Sequence, residues 1–288
     1  MLSEKCKQDI LKMQVGELTE YYIYTAIAKG MKDDKNAEII KRIGLEEKAH
    51  AKIWESYTGV TVKPKMAKVR WYALLNKIFG FTFAIKLMEK GENKATISYH
   101  EIAKEAPEAF KIAKDEEAHE SALIALLDED RLQYVGSMVL GLNDALVELT
   151  GTLAGLTFAL RDSKIIALSG LITGISATLS MMSSEYLSSR SDGAEHPFKS
   201  AGYTGIMYIV AVVLMTLPYI LLSNYVLALG ILLVTVVLII LVFTYYVSVA
   251  KDLPFKKRFL EMVTISMSVA LVSFLIGIVV KQFLGITV

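Results

Sequence analysis

Cysteine is almost absent from this chain of 288 residues, and Cys6 is its single copy. One cysteine excludes an intrachain disulfide framework and any metal site built from several thiolates. An excess of charge of either sign is also lacking, because 31 Lys and Arg face 30 Asp and Glu. The net charge of +1 gives no reason to predict a nucleic-acid partner. The first residues, MLSEKCKQDILKMQ, have no apolar signal-peptide core, so we expect the N-terminal domain to be cytosolic.

Charged residues are unevenly distributed along the chain. They are frequent up to about Arg131, and long apolar runs follow. This shift predicts two domains, a charge-rich one over residues 1–130 and an apolar one over residues 131–288. Both domains have helical sequence patterns, so the predicted fold class is all-α, with a four-helix domain followed by a five-helix transmembrane domain.

Five apolar runs in the second domain are close to or above the roughly 20 residues that a helix needs to cross a bilayer. They are Leu132–Leu160, Ile165–Leu187, Tyr203–Leu222, Tyr225–Val249 and Met262–Phe283. If the N-terminus is inside, the inner connections hold most of the nearby cations: Arg190, Lys199, Lys251, Lys256, Lys257 and Arg258. The outer segments hold Arg161, Lys164 and Lys281. The positive-inside rule therefore predicts an inner N-terminus and an outer C-terminus.

Polar side chains within the spans are candidates for an ion path. Asp144 lies near the middle of the first span, and Glu148 follows at i+4 on the same helix face. Glu185 lies near the inner end of the second span, one turn after Met181. No Lys or Arg lies deep in a span, so a mobile cation or proton is the predicted counter-charge of Asp144. The alternatives are protonated or capping carboxylates, with Met181 as apolar filler.

Two Gly-xxx-Gly motifs indicate close helix packing in the membrane domain. They are Gly151–Gly155 in the first span and Gly170–Gly174 in the second. Either motif could lie at a dimer contact or inside one protomer, and the sequence leaves both open.

The first domain is predicted to contain four helices, approximately Ser3–Met31, Ala37–Tyr57, Val69–Glu105 and Pro107–Asp128. The stretch Trp71–Met88 in the third is unusually apolar. It either packs against the other helices or lies at a membrane surface.

An internal repeat in this domain places acidic residues and histidines at matching positions. Each copy has a Glu, a Tyr seven residues later and a closing Glu-x-x-His. The members are Glu17, Tyr24, Glu47 and His50 in the first copy, and Glu92, Tyr99, Glu116 and His119 in the second. Two of the four histidines in the chain therefore lie in this motif.

The spacing of the repeat suits metal coordination. Positions i and i+3 share a helix face, so the carboxylate and the imidazole of each Glu-x-x-His can bind one ion. One Glu from each of two helices, with a Glu-x-x-His from each of the other two, is the pattern of di-iron carboxylate bundles. Glu20 and Glu89 lie three residues from the first Glu of each copy and are alternative or additional ligands. The predicted cofactor is a pair of iron ions, with Mn or Zn also compatible, and no catalytic residue is assigned.

These motifs resemble two known families. The first domain is similar to the rubrerythrin branch of the ferritin-like superfamily through its two Glu…Glu-x-x-His sets. The second resembles the vacuolar iron transporter family through Gly141-Leu-Asn-Asp144-Ala-Leu-Val-Glu148-Leu-Thr-Gly151 and Ser180-Met181-Met-Ser-Ser-Glu185. Together they resemble the membrane-bound ferritins of prokaryotes. Eukaryotic transporters of the second family carry a Glu-rich domain between spans two and three, where this chain has only Ser188–Gly202.

The resemblance implies a homodimer in a prokaryotic cell membrane that exports Fe²⁺ in exchange for protons. The oxygen and imidazole ligands suit Mn²⁺ as an alternative substrate. It places Asp144, Met181 and Glu185 on the path, and it gives the four-helix domain the role of collecting, sensing or oxidising iron. An alternative is a di-iron ferroxidase or peroxidase for which the spans are an anchor. Five spans and a midplane Asp144 favour the transporter, because an anchor needs only one helix.

Overall fold

The structure is a computed structural model that describes residues 2–31, 34–92, 99–126 and 134–284, without the side chains of residues 34, 89–92, 124, 125, 280, 281 and 284. All regular elements within these ranges are helices. The chain divides into two compact units, Met1–Glu129 and Asp130–Val288, each with its own internal contacts.

The first unit contains six helices in its described residues. They are α1 (Glu4–Ala28), α2 (Asp34–Thr58), α3 (Met66–Phe79), α4 (Phe81–Glu92), α5 (Tyr99–Ile102) and α6 (Ala109–Ala125). Ser3 caps α1 by accepting a hydrogen bond from the backbone N–H of Cys6. Gly59 follows the end of α2 with a φ of 66°, a left-handed conformation that favours glycine.

The predicted third helix, Val69–Glu105, is wrong as a continuous element. Gly80 has a φ of 90° and separates α3 from α4, because this backbone conformation cannot continue a right-handed helix. Residues 93–98 lie outside the described ranges, and α5 is a single turn. The apolar stretch is accordingly divided: Phe81–Ile85 in α4 is buried, whereas α3 buries only part of its surface.

Buried polar side chains of α1 hold the loop that follows α2. Gln14 donates to the carbonyl of Val60 at 2.8 Å and accepts from the Thr58 hydroxyl at 2.8 Å. The Thr19 hydroxyl accepts from the backbone N–H of Lys65 at 3.0 Å. These bonds satisfy backbone groups in the loop and fix where α3 begins against α1.

The second unit confirms the five predicted spans. Its helices are α7 (Val135–Leu160), α8 (Ser163–Ser191), α9 (Pro197–Leu221), α10 (Tyr225–Ala250) and α11 (Phe255–Leu284), and all five are long and apolar enough to cross a membrane. Asp162 caps α8 and Asn224 caps α10 through their side-chain oxygens. The helices extend beyond the apolar runs, because Pro197 and Phe255 begin turns that lie outside the predicted spans.

Glycines allow α7 to approach its neighbours closely. A Cβ on Gly151 or Gly155 would contact Ser273 of α11 at 2.7 or 3.1 Å. In α8, a Cβ on Gly170 would meet Leu153 at 2.6 Å, and one on Gly174 would meet Val212 at 2.6 Å. Both Gly-xxx-Gly motifs therefore contact helices within the protomer.

Replacing Gly141 with Ala should destabilise the membrane unit by about 1–3 kcal/mol. Its Cβ would lie 2.3 Å from the backbone carbonyl oxygen of Thr204, and backbone cannot yield as a flexible side chain does. Thermal unfolding in detergent measures the change. Gly230→Ala is the matched control, because a Cβ there meets nothing within 4 Å. Equal melting temperatures for the two variants would contradict the close contact between α7 and α9.

Candidate functional site

Three helices of the first unit bring part of the repeat into one buried cluster. Glu17 comes from α1, Glu47 and His50 from α2, and Glu116 from α6. Each offers one ligand atom, and these atoms all lie within 4.8 Å of one another. Glu47 is only 1% exposed and His50 only 3%. The helical i, i+3 spacing and the packing of α2 beside α1 and α6 thus form a compact set of oxygen and nitrogen donors.

Both imidazole rings point the same nitrogen at the carboxylates. Nδ1 of His50 lies 3.6 Å from Glu17, 3.5 Å from Glu47 and 3.5 Å from Glu116. Nδ1 of His119 lies 3.0 Å from Glu47 and 3.9 Å from Glu116. The two rings stack, with centroids 5.8 Å apart. Glu47 and Glu116 therefore lie between the two histidines, where a bridging carboxylate would be needed for two ions.

Each histidine is oriented by a carboxylate from the other Glu-x-x-His helix. Nε2 of His119 lies 2.6 Å from Glu46 of α2, and Nε2 of His50 lies 3.3 Å from Asp115 of α6. A metal-ligating histidine usually donates its second ring N–H to such an outer partner, which fixes the tautomer and the ring plane. Neither residue was predicted from the sequence, although each directly precedes a predicted ligand.

Trp54 is a further residue that the sequence analysis missed. It is fully buried one turn after His50, and its indole N–H donates to Oε1 of Glu17 at 3.2 Å. This bond leaves the other carboxylate oxygen of Glu17 directed at His50.

The carboxylates and imidazoles of the cluster shift one another's pKa values. Burial raises the pKa of Glu17 well above its usual value, and the neighbouring Glu47 and Glu116 add to the rise. Burial would also raise the pKa of Glu47, but the imidazoles of His119 and His50 outweigh it and lower this pKa to about 2. Burial opposes the charge on His50, yet the facing carboxylates raise its pKa to about 12. At neutral pH, protonated imidazole thus balances carboxylate charge in the metal-free cluster.

The cluster fits a divalent metal ion. Oε2 of Glu17, Oε2 of Glu47, Nδ1 of His50 and Oε1 of Glu116 are buried without a hydrogen-bond partner among the described residues. These four atoms face one another at the centre of the cluster, and one cation there would accept all four as ligands. Mixed carboxylate and imidazole donors suit Fe²⁺, Mn²⁺ and Zn²⁺.

Removing the outer carboxylates should weaken metal binding. Glu46→Ala and Asp115→Ala each leave the donor atoms in place but release one imidazole ring, so affinity should fall roughly ten- to hundredfold. Titration with Co²⁺, followed by its visible absorption, measures this. Glu117→Ala is the matched control, since Glu117 is exposed on α6 beside Glu116. Affinities equal to the control would show that the outer contacts do not orient the histidines.

Metal binding should release protons and weaken as the pH falls. The pKa of His50 is raised to about 12 in the absence of metal, so its ring is protonated at pH 7 and must lose a proton before Nδ1 can coordinate. For each proton that must be released, the apparent metal affinity falls about tenfold when the pH is lowered by one unit. Calorimetry in buffers of different ionisation enthalpy gives the number of protons. Binding heats that do not depend on the buffer would contradict this.

Four of the eight predicted ligands are not among the four grouped residues, and of these His119 lies beside them, with Nδ1 3.0 Å from Glu47. Glu20 is half-buried one turn after Glu17 and is not among the four grouped residues. Glu89 and Glu92 lie in α4, but their side chains are outside the described residues. The ligands expected from the third predicted helix therefore lie outside the described side chains.

In the second unit, Asp144 is half-buried on an open face of α7. The six residues lining this face are Gly136, Val139, Leu140, Asn143, Asp144 and Val147. All belong to α7 and recur with helical spacing, so they form one stripe. Asn143 was not predicted, and it adds a second polar group to this stripe.

The adjoining face of α7 carries a row of hydrogen bonds. Glu185 of α8 accepts from the hydroxyls of Ser137 at 2.8 Å and Ser189 at 3.1 Å. At the other end, Tyr208 of α9 donates to Glu148 at 2.6 Å. On a helical wheel Ser137, Asp144 and Glu148 lie within about 40° of one another, and they span about 16 Å along the axis.

Of the four predicted path residues, Glu148 and Glu185 take part in these hydrogen bonds, Asp144 lies on the same face of α7, and Met181 lies elsewhere. Along α7, Asp144 lies between Ser137, which donates to Glu185, and Glu148, which accepts from Tyr208. Met181 instead packs against the apolar core formed by residues such as Leu149 and Tyr208. No described contact of Met181 is specific to an ion path.

The part of the chain that contains all four residues matches a known family. Residues 135–196 match the family described as the VIT family. They form a VIT family domain. This domain includes α7 and α8, and it covers 62 of the 288 residues (135 through 196). With the five apolar helices it shows an integral, multi-pass membrane protein and indicates a metal-ion transporter. No curated protein and no solved structure matches the chain.

Proposed function

We propose that the protein exports a divalent metal ion, foremost Fe²⁺ and also Mn²⁺, from the cytosol across a prokaryotic cell membrane in exchange for protons. The observation that carries this proposal is the VIT family domain, in which α7 holds Asp144 and Glu148 on one face and Glu185 of α8 accepts from Ser137 on the same face. Hard oxygen donors suit these cations. Carboxylates in a span also need protons or a counter-ion when the metal leaves, because an unpaired charge there is costly.

The first unit would collect iron for the membrane unit. We infer a ferritin-like first unit from the repeat and the buried cluster alone, since the family match begins at residue 135. Glu17, Glu47, His50 and Glu116 would hold one ion, and His119 with the bridging carboxylates would hold a second. When bound, iron supplies redox chemistry to the site, while the protein residues fix its ligands and exclude water.

A homodimer would remove Asp144 from contact with lipid. Asp144 and Asn143 lie half-buried on the open face of α7, where lipid would leave a carboxylate poorly solvated. A second copy related by a twofold axis would place two such stripes against each other, because an isologous contact uses the same surface twice. The two Asp144 side chains would then share one ion.

Metal flux into proteoliposomes tests the proposal. Fe²⁺ entry is followed with an iron-quenched dye inside the vesicles, with and without a pH gradient. Uptake that depends on the protein and accelerates with the gradient is the expected result. Absence of uptake by folded protein that binds iron would overturn the transporter.

A second candidate function is a membrane-tethered di-iron ferroxidase or peroxidase. It is favoured by the burial of the Glu47, His50 and His119 side chains in a cluster whose potential metal-ligand atoms have no hydrogen-bond partner among the described residues. Oxygen consumption after addition of Fe²⁺ measures it. Oxidation that persists in Asp144→Asn while transport is lost would establish both activities, and oxidation without any transport would leave the oxidase alone.

A further inference from the structure

Helix α3 has two apolar faces. Val69, Tyr72 and Leu75 are buried inside the first unit. On the opposite side Trp71 is 54% exposed and Leu74 is 47% exposed. Both lie within about 60° on a helical wheel, so they form a continuous stripe that a soluble bundle would not need to expose.

Positive charge accompanies this stripe. Six Lys or Arg and no Asp or Glu occur between Glu55 and Glu89, a stretch of 33 residues in a chain whose total charges nearly balance. Arg70 and Lys77 are exposed on α3 and flank the stripe on one side, within about 60° of Leu74. An apolar stripe with a tryptophan and a cationic flank is typical of helices that lie in the interface of a bilayer.

We propose that this face of α3 binds the surface of an anionic phospholipid bilayer. Trp71 and Leu74 would enter the boundary between headgroups and acyl chains, where the indole ring has an apolar body and a polar N–H. Arg70 and Lys77 would extend to the lipid phosphates and bury their methylene stems. Each cation near such a surface contributes roughly a fivefold preference for the bound state.

Because the first unit is covalently linked to the membrane helices, a weak affinity of α3 for lipid is enough for binding. Nine residues, 126 through 134, separate the end of α6 from the start of the first span. The first unit is thereby confined to the neighbourhood of a bilayer at high effective concentration.

A second copy of the chain is a poorer occupant of this face. An isologous contact through the α3 stripe would bring Arg70 and Lys77 of one protomer towards the same cations of its partner. Like charges in such a contact are unfavourable, whereas lipid phosphates complement them.

Tryptophan fluorescence of the full-length protein in lipid nanodiscs tests the proposal. The chain has two tryptophans, and neither lies in a span, so Trp54→Phe leaves Trp71 as the sole reporter. In discs containing phosphatidylglycerol, Trp71 should be quenched by lipids brominated near the headgroup end of the acyl chain and protected from aqueous iodide. In discs of phosphatidylcholine alone, the lipid quenching should decrease and the iodide quenching should increase.

Charge reversal supplies the matched comparison. Arg70→Glu with Lys77→Glu should abolish the lipid quenching of Trp71, whereas Lys41→Glu with Lys52→Glu, on exposed positions of α2, should leave it unchanged. Trp71 that is open to iodide and unaffected by brominated lipid would overturn the proposal. Shielding from both quenchers would also overturn it, because a protein surface, such as a second copy, would then cover α3.

Discussion

Replacing Asp144 with Asn should lower Fe²⁺ flux in proteoliposomes at least about tenfold, since a loss of only about 1.4 kcal/mol at the barrier has that effect. Asn keeps the size of the side chain and removes the charge that would stabilise a cation near the bilayer centre. The change lies on the open stripe of α7, so folding should be unaffected. Flux and thermal stability are measured on the same preparation.

Glu195→Gln is the control for this variant. Glu195 is 90% exposed between α8 and α9, and its substitution removes the same charge outside the spans. Full activity of Asp144→Asn would contradict the assignment of Asp144 to the ion path. Glu148 and Glu185 would then be the remaining candidates. Their carboxylates accept hydrogen bonds from Tyr208, and from Ser137 and Ser189, respectively.

Replacing Glu47 with Gln should reduce metal affinity of the first unit at least about a hundredfold, beyond the usual effect of an outer partner. Glu47 is the most buried carboxylate of the cluster and contacts both His50 and His119. The amide cannot neutralise a cation and places an N–H₂ donor among imidazoles. Titration with Co²⁺ measures the loss, and Glu117→Gln provides the isosteric control.

Transport by Glu47→Gln separates the possible roles of the first unit. If the cluster only delivers or senses iron, flux at saturating Fe²⁺ should remain, and its dependence on Fe²⁺ concentration should shift. Loss of maximal flux would instead make the cluster an obligatory part of the path. Unchanged metal affinity would contradict the assignment of Glu47 as a ligand.

Much of the architecture could be predicted because its causes are local. A run of about 20 apolar residues has few alternatives to a membrane-spanning helix, and all five predicted spans are confirmed. The Glu-x-x-His motifs similarly combine a helical period with metal-binding residue types. Glu17, Glu47, His50 and Glu116 come together from this pattern, although their role as ligands stays a prediction.

The contacts of Glu46 and Asp115 could not be predicted, because they depend on how α2 and α6 pack against each other. Glu46 and Asp115 each lie 100° from the ligand that follows them, so in their own helices they look like solvent-facing residues. Only the approach of α2 and α6 brings them to the opposite histidines. Gly80 was missed for a different reason, because the apolar residues around it continue and no local signal fixes its positive φ.

The reciprocal contacts of Glu46 with His119 and Asp115 with His50 have an evolutionary consequence. Each half of the repeat supplies the residue that orients the histidine of the other half. A single hairpin of α1 and α2 would have a histidine without its orienting carboxylate, and pairing with an identical hairpin would restore both. Fusion of two such hairpins into one chain would preserve every contact and would allow the two copies to differ, as Glu46 and Asp115 differ at equivalent positions.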